Sequence, residues 1–152
     1  MAAIRRAEAV WNGDLMKGSG RVSATSSGAF SDLAVSWAAR TESSDGRTSP
    51  EELVAAAHSS CFAMAFSSDL AKAGSPPERL DVSAEVTFDR VDEKWTVVSS
   101  ALTVRGRVPG MDAARFRELA SAAKDGCPIS RALKGNVALS VDATLTPAAG
   151  RR

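Results

Sequence analysis

Ser49-Pro50-Glu51-Glu52-Leu53-Val54-Ala55-Ala56-Ala57-His58-Ser59-Ser60-Cys61-Phe62-Ala63-Met64-Ala65-Phe66 is the stretch that organises the chain. Ser49 reads as an N-cap, Pro50 takes the first helical position, and Glu52 stands where it closes a capping box. Glu51 and Glu52 both suit the positive end of a helix dipole. The helix is predicted to continue to about Lys72, where Gly74 and then Pro76-Pro77 stop it. It is small and apolar on nearly all sides, because Ala55, Ala56, Ala57, Ser59, Ser60, Ala63 and Ala65 let other backbones approach closely. A helix without a polar face is usually buried, so a central helix surrounded by sheet is expected.

Strand patterns lie on both sides of it. Residues 3–11 alternate and end at the turn-forming Trp11-Asn-Gly-Asp; residues 19–26 read as a second strand and Phe30 to Trp37 as a third, together a meander. Thr41 to Arg47 is polar, with the loop signal Asp45-Gly46. Downstream, 80–91 and 95–108 form a long hairpin, with Val82, Ala84, Val86 and Phe88 alternating and a polar tip at Asp92-Glu93-Lys94. Pro109-Gly-Met-Asp112 starts a second helix over about 112–124, a short third helix covers 128–134, and a last strand runs from Val137 to Leu145. Arg151 and Arg152 read as a frayed end. The class is α+β, with strands in two groups and a buried helix between them.

Bulk properties narrow the function. The 152 residues suit a single domain, and the composition, 44% hydrophobic and 24% charged, is that of an ordinary soluble protein. With 19 basic and 18 acidic residues the net charge is +1, which gives no electrostatic footprint for nucleic acid. The N-terminus lacks the apolar core of a secretory signal, and the longest apolar stretch, near Leu53 to Phe66, is too short for a membrane span. A cytoplasmic location is expected. There, the two cysteines are unlikely partners in a permanent disulfide, which leaves inert thiols, metal ligands or redox chemistry.

Cys127 sits in Asp125-Gly-Cys-Pro-Ile-Ser130, where Pro128 at the first helical position makes it an N-cap. Unpaired N–H groups at a helix start favour a thiolate, but a small buried residue fits there equally well. Cys61, mid-helix in apolar surroundings, should have a raised pKa and be inert unless a cation is supplied from elsewhere. His58, the only histidine, lies three residues earlier. It could serve as the base of a Cys–His pair, as a metal ligand with the two cysteines, or in a structural role, and the structural role is preferred because no Cys-x-x-Cys or paired-histidine spacing is present. Glu52 is accounted for by the capping box, whereas Glu51 is left to act. On a shared helix Glu51 would lie roughly 15 Å from Cys61, so a site using both must combine different helices, which suggests a dimer.

Thr48-Ser-Pro-Glu-Glu-Leu-Val-Ala-Ala-Ala-His-Ser-Ser-Cys-Phe-Ala-Met-Ala, followed downstream by Cys127-Pro-Ile-Ser-Arg-Ala-Leu, closely resembles the family of osmotically inducible and organic hydroperoxide resistance proteins, the OsmC/Ohr family. Trp11-Asn-Gly-Asp and Val108-Pro-Gly-Met-Asp point to its OsmC branch. The resemblance implies an intertwined homodimer of antiparallel strands around buried central helices, acting as a peroxidase on organic hydroperoxides. By the same resemblance Cys61 is the peroxidatic cysteine, Cys127 resolves it, and Glu51 pairs with an activating arginine. Arg40, in Trp37-Ala-Ala-Arg-Thr-Glu, matches the position of that arginine in the OsmC branch; Arg21 lies where the Ohr branch places its own. No bound cofactor is implied; an external dithiol, such as a dihydrolipoyl group on a lipoylated protein, would restore the thiols. Phe62, Met64, Phe66 and Trp37 are candidates for an apolar lining, though core positions suit them better. The rivals are a sensing or binding module of the same fold, a Cys61–His58 hydrolase, and a purely structural pair of thiols.

Overall fold

Alternation in the N-terminal third builds a three-stranded meander. Strands β1 (Ala7–Asn12), β2 (Ser19–Ala24) and β3 (Leu33–Val35) pair antiparallel in sequence order. The computed structural model describes residues 1–147, so the expected frayed end at Arg151 and Arg152 lies outside the described residues. The chain forms two compact units, Met1–Leu53 and Val54–Arg152.

The third strand is shorter than its alternation suggested. It ends at Val35, and Trp37–Thr41 form a short helix, α1. The Ser36 hydroxyl accepts from the Ala39 N–H at 3.2 Å and caps that helix. A serine cap, with alanines at the second and third helical positions, outweighs the strand pattern locally. Helix α2 then runs Pro50–Lys72 as expected. The Ser49 hydroxyl accepts from the Glu52 N–H at 3.1 Å, which is half of a capping box. The other half differs, because the Glu52 carboxylate accepts from the Thr48 hydroxyl at 2.8 Å.

The second unit contains β4 (Arg79–Val91), β5 (Lys94–Arg107), α3 (Ala113–Gly126), α4 (Pro128–Leu133) and β6 (Ala138–Leu145). The hairpin β4–β5 closes on Asp92 and Glu93, both in the left-handed region at φ 48° and 64°. Two such residues give a turn whose twist matches that of the strands. The expectation of an antiparallel sheet fails at one pairing: β6 joins β5 in parallel. The reason is the crossover, in which α3 and α4 carry the chain back before β6 begins.

The core of this unit is drawn from every layer. Phe62, Phe66 and Leu70 of α2 meet Leu102 and Val104 of β5 and Phe116, Ala120 and Ala123 of α3, all essentially inaccessible. The Phe66 ring lies 5.5 Å from Phe62 and 5.0 Å from Phe116, centroid to centroid. Gly106 of β5 allows this packing, since a Cβ there would stand 2.5 Å from the Phe116 ring. Within the single chain α2 is not surrounded. Its buried face is His58, Phe62, Phe66 and Leu70, at four-residue steps, while Ala56, Ala57, Ser60 and Met64 are exposed. Of the small residues that suggested burial on all sides, Ala56, Ala57 and Ser60 lie on this exposed face, while Ala55, Ser59, Ala63 and Ala65 are half-buried. Phe62 and Phe66 belong to the core.

Candidate active site

Each unit assembles one pair of the expected site residues. In the first, α1 carries Arg40 in its last turn and the start of α2 carries Glu51. The guanidinium donates from Nε at 3.2 Å and from Nη2 at 2.6 Å to the two Glu51 carboxylate oxygens. This two-point grip fixes the plane of the guanidinium. Glu51 is only 7% exposed, and the Arg40 guanidinium carbon lies 5.6 Å from the Trp37 ring centroid. Beside it is a cavity of 320 Å³ lined by Trp11, Leu15, Val35, Trp37, Arg40 and Pro50. Arg21 is engaged differently: it donates to the backbone carbonyl of Asp32 at 3.0 Å.

In the second unit, Cys61 of α2 and Cys127 are neighbours whose side chains shift each other's pKa, and both are free thiols. Cys127 ends α3 and is the N-cap of α4, with Pro128 at the first helical position. Burial pushes its thiol up, but the Ser130 N–H, the Cys61 thiol, the Ser130 hydroxyl and the Ile129 N–H together hold its pKa below that of an ordinary cysteine. Cys61 shifts the other way. Burial raises its pKa and the hydrogen bond with Cys127 adds to the rise, against a lowering contact from the Ile129 backbone. Within this unit, therefore, Cys127 is the more acidic of the two thiols and Cys61 the less acidic.

His58 is fully buried. Its Nδ1 lies 2.7 Å from the Ser100 hydroxyl of β5 and its Nε2 lies 2.8 Å from the Ser130 hydroxyl of α4. Both ring nitrogens are thus occupied by serines, which removes the basis for a Cys61–His58 nucleophile pair. Ser100 and Ser130 were not singled out from the sequence. They stand 42 and 72 residues from His58, a separation that no local pattern reveals. Ser130 had one legible signal, its place three residues after Cys127 in the first turn of a helix.

Burial also lowers the pKa of His58. The unfolded chain takes up a proton near pH 6.5 that the native chain refuses until lower pH, so acid favours unfolding. This contribution to stability is complete above about pH 6.5 and is lost as pH falls from there toward the depressed native value. Urea titrations should show stability declining as pH falls below about 6.5, by at most ~1.4 kcal/mol per pH unit. With no other histidine in the chain, His58→Gln should flatten that slope. An unchanged slope in the variant would show that another group titrates there.

An α+β protein with two neighbouring free thiols in one unit and a part-buried arginine–glutamate pair in the other defines a narrow class. Residues 43–142 match the OsmC-like protein family, and the chain belongs to it. It is 40% identical over 139 residues to the peroxiredoxin OsmC of Escherichia coli (strain K12), covering 91% of this chain and 96% of that one. It is 33% identical over 105 residues to the organic hydroperoxide resistance protein of Xanthomonas axonopodis pv. citri, covering 65% and 66% of the two chains. The fold is shared with OhrB, the organic hydroperoxide resistance protein of Bacillus subtilis, at a TM-score of 0.72 and 21% identity over 91% of this chain and 98% of that one. An OsmC-like protein from Mycoplasma pneumoniae superposes at a TM-score of 0.71 and 16% identity, covering 97% and 100%. Among the described residues no helix is long and apolar enough to cross a membrane.

Proposed function

We propose that the protein is a thiol-dependent peroxidase that reduces organic hydroperoxides to alcohols. The observation that carries this reading is that Cys61 and Cys127, both free thiols, lie close enough to shift each other's pKa. Two free thiols so placed are poised to become one disulfide. Relatives named peroxiredoxin and organic hydroperoxide resistance protein support it. In the first step the Cys61 thiolate attacks one peroxide oxygen; the O–O bond breaks, the alkoxide leaves and takes a proton to become the alcohol. The sulfur is oxidised by two electrons to a sulfenic acid. The Cys127 thiolate then attacks that sulfur, forming the S–S bond and expelling hydroxide, which is protonated to water. An external dithiol, such as a dihydrolipoyl group, reduces the disulfide by two exchanges and is itself oxidised.

Cys61 needs help that its own unit does not give, because burial and Cys127 both raise its pKa. We assign that help to Arg40, whose guanidinium would favour the Cys61 thiolate and donate to the peroxide oxygens in a fixed fork. Glu51 is assigned to hold the guanidinium in place. The apolar cavity beside Arg40 suits an alkyl chain better than hydrogen peroxide. Glu51 and Cys61 are separated by about 15 Å of helix, so the site would be completed in a homodimer. The open face of α2, with Ala56, Ala57, Ser60 and Met64, is available to a second copy. A cytoplasmic setting would keep the resting thiols reduced.

The test is consumption of an alkyl hydroperoxide with dihydrolipoamide as reductant, for wild type and Cys61→Ser. Turnover in the wild type and its loss in the variant are expected. A folded, reduced wild type that gives no turnover with this or another dithiol would overturn the enzyme reading and leave a sensing or binding module.

A further inference from the structure

Four side chains in the second unit stand in one series, of which the chemistry above uses only the last. Ser100 meets His58 Nδ1 at 2.7 Å and His58 Nε2 meets Ser130 at 2.8 Å, while Ser130, three residues on from Cys127 in the first turn of α4, lowers the pKa of that thiol through its hydroxyl. His58, Ser100, Ser130 and Cys127 are each 1% exposed or less, so no solvent competes for these bonds. A neutral imidazole has one donor and one acceptor nitrogen, and each serine has a single proton to give. The polarity of the series therefore depends on the state of the thiol, and one state fixes it. When Cys127 is a thiolate it can only accept. Ser130 must then donate to it, Ser130 must accept from the Nε2–H of His58, and the bare Nδ1 must accept from Ser100.

We propose that His58 is a positioning residue for the resolving step: by donating to Ser130 it forces that hydroxyl to point at Cys127, which holds Cys127 as the attacking thiolate. This rests on the peroxidase reading for its place in the reaction, though the hydrogen-bond polarity stands without it. Ser130, Ile129 and Cys61 act on the sulfur directly, whereas His58 acts through Ser130. The series spans three elements, α2, β5 and α4, so it also ties the start of α4 to the helix that carries Cys61. The charged groups near Ser130 are Lys124 and Asp125 of α3 and Lys134 after α4, which line a small cavity at that point. Lys124 and Asp125 are paired with each other at 3.6 Å. Cys61 is the other titratable group facing Cys127. The resolving chemistry is unchanged: Cys127 supplies the electron pair of the new S–S bond, and the Cys61 S–O bond breaks with loss of hydroxide.

The experiment has two arms that use the full chain. In the first, the Cys127 thiolate is titrated by its ultraviolet absorbance in a Cys61→Ser background, with Ser130→Ala, Ser130→Thr and His58→Gln compared. Ser130→Ala should cut the thiolate fraction on the rising part of the curve by about tenfold, and Ser130→Thr, which keeps the hydroxyl, should restore it. His58→Gln should fall between, because an amide can donate to Ser130 without fixing both ends of the series. In the second arm, with Cys61 present, sulfenic acid is captured by dimedone and disulfide formation is followed by loss of free thiols. Ser130→Ala should slow the second event in step with the lost thiolate. Circular dichroism confirms that each variant is folded. An unchanged Cys127 titration in Ser130→Ala, or a loss that Ser130→Thr does not repair, overturns the proposal. If the wild type forms no sulfenic acid, the peroxidase reading fails, and the titration arm still decides the role of His58 and Ser130.

Discussion

Arg40→Met is expected to lower kcat/KM for an alkyl hydroperoxide by roughly 10²–10³-fold, the usual cost of removing one preorganised donor from a developing charge. The side-chain length is nearly kept, but the fork and its charge are lost. Arg40→Lys should recover little, since a point charge cannot hold both Glu51 oxygens in the observed two-point geometry. There is also a cost to the fold. Glu51 is almost fully buried, and Arg40→Met removes both donors from its carboxylate, destabilising the chain by about 1–3 kcal/mol. The double variant Arg40→Met, Glu51→Gln separates the two effects, because a neutral amide is cheaper to bury. It should regain stability in a urea titration while staying inactive. Recovery of activity in the double variant would mean that the arginine serves only the fold, and full activity in Arg40→Met would remove it from the site.

Phe66→Ala should cost about 3–5 kcal/mol of unfolding free energy, read from the urea midpoint at constant m. The ring is inaccessible and packs between Phe62 and Phe116, so its loss leaves a cavity bounded by two helices that cannot both move in. Against a typical total of about 5–15 kcal/mol, that is enough to unfold much of the chain near physiological temperature. Phe66→Leu should cost far less, because much of the volume is kept. The consequence reaches the thiols: α2 carries Cys61 and α3 ends at Cys127, and Phe66 and Phe116 are where those two helices meet. Disulfide formation in any folded fraction of Phe66→Ala should therefore be slower than in wild type. A loss below about 1 kcal/mol would contradict the packing described.

Local chemistry made much of this legible in advance. The limits of α2 follow from a serine cap, a proline at the first turn and a glycine stop, each acting within a few residues. The hairpin β4–β5 follows from two-residue alternation, and the N-cap position of Cys127 from the proline after it. Where reading failed, a second local preference was competing or the deciding partner was remote. Trp37 to Thr41 looked like the end of a strand until Ser36 capped a helix there. The parallel course of β6 depends on where two helices set the chain down, which no residue of β6 encodes by itself.

The sequence by itself determined most of the elements, the two cysteines and the motif around each, because capping, periodicity and turn chemistry act between near neighbours. Tertiary structure alone decided what those residues meet. It placed the Cys61 thiol against Cys127, joined Arg40 to Glu51 across two helices, and set His58 between two serines in distant parts of the chain. Hydrogen bonds and pKa shifts of this kind depend on distances of a few ångströms between residues far apart along the chain, and such distances exist only once the core has packed.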